Sequence, residues 1–299
     1  MFTGVEPPAT RTMDSPAPPS YELIRTLGGG RNFLVWEARS DSGEAVALKA
    51  PRDLATEKAS TLVLLRREAR AGQAVRHPRL VRVLDFSVID EPYYIAMELV
   101  PGETVKERLR RYGRFSPRRS IRMARQVAEA LAALHAAGFV HADVKPGNVL
   151  IRENGEAKLI DLGFVHRPGE NRRLIENGFT IGTANYLAPE LCIQPVREGP
   201  PADIFALGAM LFECLTGRVP YPAKTVDEAI RQRKRRRALN LSDYRGHWPA
   251  EAEVIVGAMI AREPSERPTA ARVAALLLEL ERRMATDEAR RLPGRRLAG

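Results

Sequence analysis

A carboxylate, an ammonium and an amide stand together near the middle of the chain, in His141-Ala142-Asp143-Val144-Lys145-Pro146-Gly147-Asn148. Apolar Val149, Leu150 and Ile151 follow, and thirteen residues after Asn148 comes Asp161-Leu162-Gly163 with a second carboxylate. A carboxylate can orient a hydroxyl nucleophile and take its proton. A lysine can hold a phosphoryl group in transfer, and an amide oxygen with a second carboxylate can hold magnesium. Phosphoryl transfer depends mostly on positioning and charge stabilisation, which such a set supplies. Taken singly, Asp143 and Asp161 read as ordinary loop carboxylates; their spacing with Lys145 and Asn148 favours the chemical reading.

The elements on either side must position that stretch. Tyr21 to Leu27 reads as a strand, Gly28-Gly29-Gly30 as a turn and Phe33 to Ala38 as the return. Strand, glycine turn, strand can close a backbone over phosphates and offer them N–H groups, though alone it is simply a hairpin. Ala45 to Ala50, with Lys49, reads as a third strand, and about Ser60 to Val75, with Glu68, as a helix. Leu80 to Val88 and Pro92 to Leu99 read as two further strands. Thr104 to Tyr112 reads as a short helix, with Thr104 and Glu107 in a capping-box pattern. Ser116-Pro117 opens a longer helix, since proline suits the first helical position. Its Ile121, Ala124, Val127, Ala128, Leu131 and Leu134 recur at helical spacing, which predicts one buried face ending near Ala137-Gly138. A very apolar helix is expected from Pro201 to about Thr216, and later helices over Ala250 to Ile260 and Ala270 to Met284.

The bulk numbers bound the class. The chain has 299 residues, 44% of them apolar, enough for one large domain or two lobes. Cys192 and Cys214 have neither metal spacing nor a disulfide framework, and read as thiols of a reducing compartment. No apolar run is long enough to span a bilayer, and no basic segment leads into an apolar one near Met1. Cytoplasmic localisation is expected. The formal charge of +10 would attract nucleotide, acidic protein, nucleic acid or anionic lipid and names none of them. The densest basic run, Arg231 to Arg237, reads most plainly as a solvated face; docking of an acidic or phosphorylated partner is the alternative. Nucleic acid is not expected, because no aromatic platform or reading helix accompanies the run.

With these motifs in view, the chain resembles a eukaryotic-like (Hanks-type) serine/threonine protein kinase of bacterial style, over roughly residues 21 to 284. The family pattern is His-Arg-Asp with Asn five residues on, then Asp-Phe-Gly; here His141-Ala142-Asp143, Asn148 and Asp161-Leu162-Gly163 stand in those places. Ala188-Pro189-Glu190 matches the family's Ala-Pro-Glu. The resemblance implies an α+β bilobal fold, with a small β-rich lobe and a larger helical one. ATP and Mg2+ would bind between the lobes, with Mn2+ as the alternative ion. The boundaries expected are a disordered proline-rich tail over 1–19, the small lobe over 20–100, the large lobe over 101–284 and a basic tail over 285–299.

The resemblance also implies roles, residue by residue. Asp143 would be the general base or hydroxyl-orienting group, Lys145 would contact the gamma phosphate, and Thr183 would bridge the two. Asn148 and Asp161 would hold the metal. Leu27, Gly28, Gly30, Val35, Ala47, Lys49 and Met97 would form the nucleotide site with the backbone of Glu98 and Val100, and Glu68 would partner Lys49. His141, Asp203 and a Glu190–Arg267 pair would be structural. Thr180 is the candidate autophosphorylation site. Lys145, two residues after Asp143, favours serine/threonine over tyrosine acceptors in protein substrates. Three departures stand out. Phe33 replaces the third glycine of the phosphate loop. Ala142 replaces the arginine and makes this a non-RD kinase, predicting weaker dependence on loop phosphorylation. Gly72, a poor helix former, stands where a bulkier apolar residue would pack better against the metal loop. These departures are what a pseudokinase scaffold would show; Lys49, Glu68, Asp143, Lys145, Asn148 and Asp161, all present, weigh against it. A kinase domain acting mainly by recruiting a partner through Arg231 to Arg237 is the other rival.

Overall fold

The computed structural model describes residues 18–30, 32–52, 58–171, 183–192, 198–223, 225–235, 240–244 and 246–291. Thr180, Arg31, Arg236 and Arg237 lie outside them. The chain divides into two compact units, one comprising Met1–Gln73 with Val81–Val100, the other Ala74–Leu80 with Pro101–Gly299.

The first unit is an antiparallel sheet with one helix. Strands β1 (Tyr21–Gly29), β2 (Phe33–Ser40), β3 (Ala45–Pro51), β4 (Val83–Ser87) and β5 (Tyr94–Glu98) lie in the order β1-β2-β3-β5-β4, and helix α1 covers Lys58–Ala74. Side chains of a strand alternate between faces. Leu34, Trp36 and Ala38 of β2 are accordingly buried, and they pack with Val46, Leu48, Ala50 and Ala96. Tyr21 and Tyr94 both donate to Asp85 Oδ2, at 3.0 and 2.7 Å. Burial and that carboxylate push the Tyr21 hydroxyl up to about 12.

Gly72 corrects an expectation. A Cβ there would overlap Val83 Cγ2 and lie 2.8 Å from Val83 Cβ. The glycine thus admits β4 against α1, and a bulkier side chain has no room.

The second unit is mostly helical. A small sheet of β6 (Glu103–Thr104), β7 (Val149–Ile151) and β8 (Ala157–Leu159) is accompanied by α2 (Val105–Tyr112), α3 (Pro117–Ala136), α4 (Pro200–Thr216), α5 (Val226–Arg235), α6 (Ala250–Met259) and α7 (Ala270–Arg291). The capping box forms: Glu107 N–H donates to Thr104 Oγ1 at 3.1 Å, and Thr104 N–H to Glu107 Oε2 at 2.8 Å. The periodic apolar residues of α3 are all buried. Helix α4 is buried nearly all round, as a helix apolar on every face must be. A Cβ on Gly208 would come 2.7 Å from Met259 Cβ, so glycine permits the close approach of α4 to α6. Helix α7 continues past Met284 to Arg291, and Glu288 on that extension pairs with Arg118 of α3 at 2.5 Å. Cys192 and Cys214 are buried and not joined in a disulfide, and the Cys192 thiol donates to the Ala188 carbonyl at 3.5 Å. Among the described residues, no helix is long and apolar enough to cross a membrane.

Candidate active site

In the first unit, β1 and β2 meet in a tight turn where Gly30 N–H donates to the Phe33 carbonyl at 2.9 Å. A Cβ on Gly29 would lie 2.7 Å from that carbonyl oxygen, so the middle glycine is the one the turn itself requires. Above Gly28 and Gly30 the space is open, with no atom within 4 Å of a Cβ. Lys49 stands opposite Val35 in the β2–β3 register, and Ala47 opposite Met97 in the β3–β5 register. Lys49 Nζ lies 2.6 Å from Glu68 Oε2, with both side chains buried. Helix α1 therefore sits with Glu68 turned onto the sheet, and Arg66 instead donates to the Val88 carbonyl at 2.9 Å. The Phe33 ring covers Lys49, its centroid 4.9 Å from the ammonium. Met97 is buried, while Leu27 is exposed and Val100 half-buried. Glu98 N–H donates to the Arg82 carbonyl at 2.9 Å, so that donor is already engaged within the sheet.

In the second unit, the stretch 141–148 leaves α3 through Gly138 and ends in a 3-10 turn, Pro146–Asn148, that feeds β7. Asp203, in the first turn of α4, fastens it. Its carboxylate accepts His141 N–H and Ala142 N–H, each at 2.8 Å, and lies 2.9 Å from His135 Nε2. Ala142 takes φ 65°, a left-handed value uncommon outside glycine, within this doubly held turn. Burial alone would raise the Asp203 pKa, but His135 and the His141 contacts outweigh it and hold it below the ordinary carboxylate range. His141 is fully buried, and burial pushes its imidazole pKa down, which favours the neutral ring.

Asp143, itself buried, joins three other groups. Its Oδ2 accepts Lys145 Nζ at 2.5 Å and Asn148 Nδ2 at 3.0 Å, and its Oδ1 accepts Thr183 Oγ1 at 3.0 Å. Asn148 Nδ2 also donates to the Asp143 carbonyl at 2.9 Å. Asp161 is brought beside this set, since Ile160 N–H donates to the Asn148 carbonyl at 2.8 Å. It takes φ 91°, and Gly163 N–H caps its Oδ1 at 3.1 Å. With Asn148 Nδ2 committed twice, the amide oxygen is the atom left for a cation. That oxygen and the Asp161 carboxylate are hard oxygen donors of the kind a divalent cation takes. Among the described residues, no cluster of three or more His, Cys, Asp or Glu offers a competing metal site.

The segment after Thr183 is clamped from several sides. Glu190 and Arg267 form a buried two-pronged pair at 2.6 and 2.7 Å. Tyr186 donates its hydroxyl to Glu213 Oε2 at 2.5 Å, which accounts for the carboxylate interrupting the apolar face of α4. Burial raises the Glu213 pKa against the pull of that hydrogen bond. Arg233 departs from the sequence reading. The run Arg231 to Arg237 is expected to be a solvated face, yet Arg233 is 2% exposed and donates to the Leu187 and Asn185 carbonyls. Buried Ala229, four residues earlier on the same face of α5, is the local signal that marks it. Arg231 is exposed, as expected.

A β-rich unit followed by a helical one, with this set of side chains, defines a protein kinase domain. The family model described as "Protein kinase domain" matches residues 21–276, and the chain belongs to that family. It is similar to serine/threonine-protein kinase PknD of Mycobacterium tuberculosis, 33% identical over 249 residues, 83% of this chain and 37% of that one. It is also similar to PknE of Mycobacterium bovis, 37% identical over 202 residues, 67% of this chain and 35% of the relative. PknA of Mycobacterium tuberculosis is 34% identical over 207 residues, 67% of this chain and 48% of the relative. The chain thus spans less than half the length of each of these relatives.

Proposed function

We propose that this chain is an ATP- and Mg2+-dependent protein serine/threonine kinase of the non-RD type. The observation that carries the reading is the convergence on one buried carboxylate, Asp143, of Lys145, Asn148 and Thr183. Asp143 orients the acceptor hydroxyl and takes its proton as the acceptor oxygen bonds to the gamma phosphorus. The bond from that phosphorus to the beta–gamma bridging oxygen breaks, and ADP leaves. Lys145 neutralises charge on the transferring group, and Lys49, held by Glu68, takes the alpha and beta phosphates. Asn148 and Asp161 would hold Mg2+, which would supply positive charge to the phosphate oxygens. Leu27, Gly28, Gly30, Val35, Ala47, Met97, Glu98 and Val100 form the rest of the nucleotide site. Of the Glu98 backbone only the carbonyl is offered to adenine, because its N–H is engaged.

Ala142 brings no cation to anchor a phosphorylated loop, so activity depends little on phosphorylation of Thr180. Glu68 paired with Lys49 and the intact set around Asp143 favour an enzyme over a pseudokinase. Two buried cysteines that are not joined in a disulfide fit a reducing, cytoplasmic setting. Incubation with radiolabelled ATP, Mg2+ and a serine/threonine peptide pool tests the reading. Wild type should transfer phosphate, and D143A should fall about a thousandfold. Equal transfer by D143A would remove Asp143 from the reaction.

A further inference from the structure

Arg233 is a buried charge that the reaction above does not use. Its guanidinium donates to the carbonyls of Leu187, Asn185 (3.0 Å) and Ala229 (3.4 Å). It lies against two rings, 4.9 Å from the Tyr221 centroid and 5.9 Å from Phe205. Among the described residues, no carboxylate pairs with it in a salt bridge, and burial lowers its pKa. Leaving a charge in such a place is costly unless its donors are used. Here they are used on two carbonyls of one irregular segment, whose backbone acceptors need partners.

That segment borders the site. Thr183 touches Asp143 at 3.0 Å, and Thr183 to Tyr186 remain half-exposed. On the kinase reading, this half-exposed edge is the one that an acceptor hydroxyl reaching Asp143 would meet. Asn185 is held a second time, its Oδ1 accepting Ala223 N–H at 2.9 Å. From α5, Arg233 thus sets the backbone path of the ledge beside Asp143.

We infer that Arg233 is a positioning residue for the protein acceptor, acting through the Asn185 and Leu187 carbonyls. This deepens the kinase reading and rests on it. Methionine at 233 keeps bulk and removes the donors; lysine keeps the charge and a single donor group. The assay uses the peptide that wild type phosphorylates fastest from a degenerate serine/threonine pool, with ATP hydrolysis to water followed in parallel. R233M should raise the acceptor KM about tenfold, while the ATP KM and the hydrolysis rate stay within about twofold. R233K should fall between, at about threefold, and carries the test if R233M does not fold. Acceptor KM within about 1.5-fold of wild type in folded R233M or R233K overturns the inference. So does an equal change in ATP KM and hydrolysis, because it would mark a general structural role. If wild type phosphorylates no peptide in the pool, the kinase reading fails first, independently of Arg233.

Discussion

The Phe33 ring lies over the Lys49 ammonium at 4.9 Å, on the side of the sheet where Lys49 also pairs with Glu68 at 2.6 Å. A ring face attracts a cation by about 1 to 2 kcal/mol when the site is partly dry. Phosphates reaching Lys49 must compete with that ring. F33A should therefore lower the ATP KM by about three- to tenfold. Titration with a fluorescent nucleotide analogue checks binding separately from turnover. An unchanged or weaker affinity in F33A would show that the ring does not hinder phosphate binding.

The Glu190–Arg267 pair holds the far end of the segment that begins at Thr183. Arg267 also donates to the Ala261, Pro201 and Arg262 carbonyls, at 2.8, 2.9 and 3.1 Å. Removing one charge leaves the other buried and uncompensated, which costs about 3 to 5 kcal/mol. E190L and R267L should each lose roughly that much in urea unfolding, whereas the double variant E190L/R267L should lose less than those two single variants summed. Strict additivity would contradict a coupled pair.

Asp203 gives a pH signature. Its pKa is lowered in the folded protein, so between the folded value and the unfolded value of about 3.9 the unfolded chain binds more protons. Stability from this group is thus complete above about pH 5 and is lost as pH falls through the folded pKa. D203N should be less stable than wild type by about 3 kcal/mol near neutrality, through weaker hydrogen bonds to His135, His141 and Ala142. The difference between the two proteins should shrink as urea unfolding is followed from pH 5 toward pH 2. A constant difference would mean that the carboxylate charge is not what holds the loop.

The sequence by itself determines what acts over short spans. Thr104 and Glu107 announce the cap of α2, and the apolar period of α3 announces its buried face. Asp143, Lys145 and Asn148 fall within six residues, so their mutual contacts follow from local chain geometry. Only the tertiary structure decides what a side chain meets across the fold. Gly72 reads as a weak spot until Val83 is seen to fill its space, and the place of Glu213 in an apolar helix is explained only once Tyr186 reaches it. Arg233 reads as one more solvated cation until it is found binding carbonyls 46 and 48 residues away in sequence. The physical reason is common to all three: burial and hydrogen-bond partners belong to the packed arrangement, and nothing in a local window of residues specifies them.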